Sequence, residues 1–143
     1  MRYFLIYIYS KQQSSWQKYR SIIKDKTFNF AIRIVRLYKH LTESKKEFIL
    51  SKQLLRSGTS IGANVREAHN GESSADFIHK LSIAQKECDE TLYWLELMRA
   101  TEYLSSYEFD AIYRDATEIL KMLKSIIITV KKQKSQNQPA KIS

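Results

Sequence analysis

The sequence predicts an all-α protein, folded as an antiparallel up-down four-helix bundle. Turn-formers are scarce: three glycines and one proline in 143 residues, with Pro139 so near the C-terminus that no proline interrupts Met1 to Gln138. Apolar residues recur at steps of three and four in four separate stretches. Serine-led capping signatures stand between those stretches. The length suits one domain with its own core.

The first helix is expected over 28–42, with a stripe of Phe28, Ala31, Val35, Tyr38 and Leu41 supported by Ile34. The second is expected over 45–70, opened by the capping box Ser44-Lys45-Lys46-Glu47. Ser51, Leu54, Gly58, Ile61, Val65 and Ala68 form its seam, and Asn70-Gly71 stops it. Ser73-Ser74-Ala75-Asp76 is a weaker cap before the third, 74–101, whose seam is Phe77, Leu81, Ala84, Cys88, Thr91, Leu95 and Met98. Ser105-Ser106-Tyr107-Glu108 opens the fourth, 106–132, with Phe109, Ile112, Ala116, Ile119, Leu123, Ile126 and Val130 in phase over three heptads. The last three helices would each be about 40 Å long, and short connections make neighbours antiparallel.

The domain plan is an irregular N-terminal extension over 1–23, the bundle over 24–133 and a basic flexible tail over 134–143. The opening M-R-Y-F-L-I-Y-I-Y-S resembles a stunted signal peptide, but no small-x-small cleavage site follows it. Its seven-residue apolar run is far below the roughly 20 residues that span a bilayer. A cytoplasmic protein without a membrane partner is expected. Cys88 is the single cysteine, so no intramolecular disulfide can form, and a reducing compartment fits.

Gly58-Thr59-Ser60-Ile61-Gly62 spells the G-x-S-x-G of a hydrolase nucleophile elbow. That turn needs a strand before the serine, whereas Glu47 to Arg56 is helical in composition and in phase with the seam. The glycines instead read as a groove where another backbone comes close. Each sacrifices roughly 1 kcal/mol of helix propensity, so close packing must return as much. No catalytic residue is assigned, and His40, His69 and His79 lack metal-ligand spacing, so neither metal nor cofactor is expected.

The net charge of +9 is uneven. Residues 1–66 hold 14 Lys/Arg against 3 Asp/Glu, whereas 67–130 hold 6 against 12. Residues 131–143 add four lysines and no acid. A polyanionic partner suits such a balance, because phosphate neutralisation supplies affinity. The candidate nucleic-acid contacts are Lys24, Lys26, Arg33, Arg36, Lys39, Lys45, Lys46, Lys131, Lys132 and Lys134. A solvated surface and a contact with a neighbouring subunit's acidic half are the competing readings.

Arg56, Ser60, Asn64 and Glu67 step by four, four and three beside Gly58 and Gly62. Such a stripe serves either as a contact surface for RNA or another subunit, or as an interhelical network with Glu87 or Glu90. The network is the favoured reading. Tyr93 and Trp94 flank the third seam as either interface anchors or core edge.

L-L-R-S-G-T-S-I-G-A-N-V-R-E-A (Leu54–Ala68), then A-D-F-I-H-K-L-S-I-A-Q-K-E (Ala75–Glu87) and T-L-Y-W-L-E-L-M (Thr91–Met98), resemble the bacterial four helix bundle protein family. Its members are encoded in intervening sequences of large-subunit ribosomal RNA genes, and a relative is the accessory variability protein of diversity-generating retroelements. The resemblance spans about residues 26–132 and leaves out 1–23. It implies a ring-like homopentamer without catalytic residues, and its retroelement relative binds nucleic acid and a reverse transcriptase through a basic surface. The expected function is therefore a non-enzymatic, RNA-binding oligomer. The alternative is a protein-binding scaffold or adaptor, for a reverse transcriptase or a ribosomal component.

Overall fold

The computed structural model describes residues 1–137, with the backbone alone for 9–16. Four helices follow in order: α1 (Arg2–Glu43), α2 (Leu50–His69), α3 (Ser74–Ala100) and α4 (Ser106–Gln136). No strand occurs among the described residues. Each helix packs on the next and α4 returns to α1, while the diagonal pairs stay apart across a shared core. This is the expected up-down arrangement.

The α3 seam is buried at every expected position, Phe77 to Met98, and so is the α2 seam from Ser51 to Ala68. In α4, Ile112 to Ile126 are buried, with Phe109 and Val130 packed at the edge. Ser105 and Glu108 form the full reciprocal box, and the Ser73 hydroxyl accepts from the Asp76 amide.

The α1 stripe differs. Ile23, Phe30, Ile34 and Leu41 enter the core, with Thr27 buried among them, whereas Phe28 and Val35 are exposed. The run from Phe28 to Tyr38 holds two overlapping apolar stripes, and α2 selects between them. Gly58 and Gly62 let Ile34 and Thr27 approach, so those residues turn inward.

The start of α2 also differs. Lys46 takes a left-handed φ of 54° and breaks the chain after α1. Ser44 ends α1 rather than opening α2. Glu47 does the capping alone: its carboxylate accepts from the amides of Ile49, Leu50 and Ser51 at 3.0, 2.9 and 2.6 Å. The helix therefore begins at Leu50, five residues beyond the expected position.

Residues 2–23 belong to α1 rather than being irregular, and no glycine or proline interrupts them. The bundle also takes in more than 24–133. Ile23 is 1% exposed, and the Arg20 guanidinium lies 4.5 Å from the centre of the Phe77 ring. At the other end α4 continues through Lys134 to Gln136, so that part of the expected tail is helix. Residues 138–143 lie outside the described residues.

Candidate nucleic-acid interface

The basic residues of α1 divide by helical face. Lys26 pairs with Glu118 at 2.8 Å, and Arg33 pairs with Asp115, both across the seam to α4. His40 lies 3.2 Å from Glu108 on the same seam. These pairs close the contact where the two backbones meet least. Lys26 and Arg33 therefore serve the bundle, and their charges are already answered.

Lys24, Arg36 and Lys39 point elsewhere. All three are exposed and make no ion pair among the described residues. Lys45 and Lys46 stand exposed in the α1–α2 connection at the far end of α1. Lys131, Lys132 and Lys134 are exposed on the last turns of α4, where Lys131 and Lys134 border a groove with Ile78 and His79 of α3. The ten candidates thus form a neutralised seam pair, an α1 face with its loop, and a separate α4 cluster.

Sequence reasoning left out Arg66. It is exposed on α2, and its guanidinium lies 5.6 Å from the centre of the Phe28 ring. With Lys24 it borders a groove of about 490 Å³ between α1 and α2. The signal that could have found it is the four-residue spacing of Gly62 and Arg66, which puts the cation beside the small-residue approach.

The α2 polar stripe turns toward α3 and its own helix. Arg56 pairs with Glu90 and lies 3.4 Å from Glu87, while Glu67 pairs with Lys80 at 2.8 Å. The hydrogen bond with Glu90 holds the Arg56 guanidinium above its ordinary range. Arg56 in turn, with the Trp94 indole, holds the Glu90 carboxyl below its own. The Ser60 hydroxyl donates to the Arg56 carbonyl at 2.6 Å, and the Asn64 amide donates to the Ser60 carbonyl at 2.8 Å.

Ser60 stands inside a continuous helix with its proton committed to the backbone, so this segment has no nucleophile elbow. Cys88 is fully buried and its thiol is pushed up to about 12, chiefly by burial and then by Asp89. Among the described residues no three His, Cys, Asp or Glu side chains gather as a metal site. No helix among them is long and apolar enough to cross a membrane.

A model of the family described as 23S rRNA-intervening sequence protein matches residues 20–125. Among solved structures, a protein of unknown function from the S23 ribosomal protein family of Bacteroides thetaiotaomicron is 56% identical. That match covers 77% of this chain and 98% of the other, with a TM-score of 0.76. No curated protein matches the chain.

Proposed function

The chain belongs to the 23S rRNA-intervening sequence protein family, and from that premise we propose that it is a non-enzymatic, RNA-binding helical bundle. The observation that carries the reading is the unpaired basic face of α1, formed by Lys24, Arg36 and Lys39. These cations make no ion pair among the described residues, unlike Lys26 and Arg33 on the opposite face. Phosphates supply the missing counter-charge, and the counterions they release favour binding. The resemblance in Leu54–Met98 extends the proposal to a cytoplasmic homopentamer.

Filter binding of structured RNA across a salt series tests it. Affinity should fall linearly on logarithmic axes, with a slope near −0.7 to −0.9 per phosphate contacted. Arg36→Glu with Lys39→Glu should weaken binding about tenfold or more while leaving the melting temperature within a few degrees. Absence of affinity for RNA or DNA at low salt would refute the reading.

A second reading rests on α3. Lys86, Asp89, Tyr93 and Glu96 form an exposed stripe, with Tyr93 55% exposed in an edge contact with Trp94. An aromatic residue among charges suits a protein partner, and an adaptor role follows. Purification from native cells that recovers RNA but loses no protein partner when Tyr93 becomes Ala would count against it.

A further inference from the structure

The α1 stripe that the core leaves outside has one position with a built surround. Phe28 is 53% exposed, yet its ring is neither isolated nor simply hydrated. Arg66 reaches over it from α2, and the groove between the helices runs past it. Gly62 lets α1 come close at the floor: a Cβ there would lie 3.2 Å from the Thr27 carbonyl oxygen. Ala31 and Ala63 add no bulk, and the Thr59 hydroxyl is turned to the Leu55 carbonyl at 2.7 Å.

The rim is cationic. Lys24 and Arg66 stand on either side, and neither makes an ion pair among the described residues. Glu67, the acid lining the groove, is engaged by Lys80. Asp25 is the acid next to Lys24 along α1 and is exposed. An aromatic face, an exposed guanidinium and an ammonium without an ion pair, around a floor of small residues, match an unpaired nucleotide.

We infer that this groove is a stacking site for an unpaired nucleobase. Phe28 supplies the face, Arg66 the opposing plane, and Lys24 contacts the flanking phosphate. The inference rests on the RNA-binding reading and narrows it to single-stranded or looped RNA. A base inserted between ring and guanidinium needs about 7 Å, two contact distances of about 3.5 Å. The present distance is 5.6 Å, so the inference requires the exposed Arg66 side chain to rotate outward as the base enters. A duplex offers no free base face and takes only the phosphate contact.

The test uses the full chain with single-stranded and blunt duplex RNA of equal length, read by fluorescence anisotropy. Phe28→Ala should weaken single-strand binding about tenfold and leave duplex affinity unchanged, while Phe28→Trp restores the loss. Wild-type protein that binds neither RNA overturns the RNA-binding reading and this inference together. Wild-type binding to the single strand that Phe28→Ala leaves intact overturns this inference alone. A Phe28→Ala variant whose solution mass changes would instead place the ring at a subunit or protein contact, which also overturns it.

Discussion

A methyl group placed on Gly58 would lie 2.8 to 3.0 Å from three carbons of Ile34, a side chain with no exposed surface. Alanine gains about 1 kcal/mol of helix propensity, but overpacking a filled core costs about 1–3 kcal/mol. Gly58→Ala should therefore destabilise by about 1 kcal/mol in denaturant unfolding, and Gly58→Leu should lower stability further. Gly62→Ala should lie nearer neutral, because its Cβ meets one carbonyl at 3.2 Å that needs to give only slightly. A stabilised Gly58→Ala protein would contradict the packing argument. Glu47 invites a different experiment. Burial pushes its carboxyl up, but the amides of Leu50, Ser51 and Ile49 outweigh this and leave it below 4.5. A lowered folded value means stability that is present above the unfolded value and lost as pH falls through the folded one. Glu47→Gln should cost about 1–2 kcal/mol at pH 7. The gap from wild type should narrow as pH falls below 4.5 and close as it passes the lowered folded value, where the native carboxyl also becomes neutral. A gap that stays constant down to acid unfolding would assign the loss to packing instead of charge.

At the scale of the helix, α1 is the element whose sequence and structure part company most. Ser10 to Gln17 carries no apolar period, so spacing gives no sign that the chain is helical there. Once the packed part of α1 has nucleated, each further residue adds one backbone hydrogen bond, so the helix can extend through a segment that has no seam and no breaker. Packing reaches at least to Arg20, where the carbonyl meets His69 Nε2 at 2.9 Å and the side chain covers Phe77. A chain beginning at Gln17 keeps these contacts. One beginning at Lys24 loses Ile23 as well as Arg20 and should lose about 2–4 kcal/mol. Calorimetry on the two truncations checks this, and equal melting temperatures would place the edge beyond Ile23.

Across the whole molecule, part of the charge imbalance is answered within the bundle. The acids of α3 and α4 pair with cations of α1 and α2 through Glu87, Glu90, Asp115 and Glu118. These pairs are partly exposed, so each contributes about 0–1 kcal/mol and is screened by salt. Salt should therefore reduce RNA affinity steeply while leaving the unfolding free energy within about 1 kcal/mol. The two dependences measured on one sample separate the free cations of α1 from those that join the bundle.

The sequence by itself determined the all-α class, the α2, α3 and α4 seams and the Ser73 and Ser105 caps. There, apolar residues alternate with polar ones, and hydroxyls and carboxylates stand where free amides need them. It also located the close approach at Gly58 and Gly62. Only the tertiary structure decided which α1 stripe is core, where α2 begins and which cations remain unpaired. Burial and neutralisation are relations between elements: α1 is apolar in two phases, and α2 and α4 select one. That selection leaves Phe28 beside Arg66, a pairing of residues 38 positions apart that no local spacing contains.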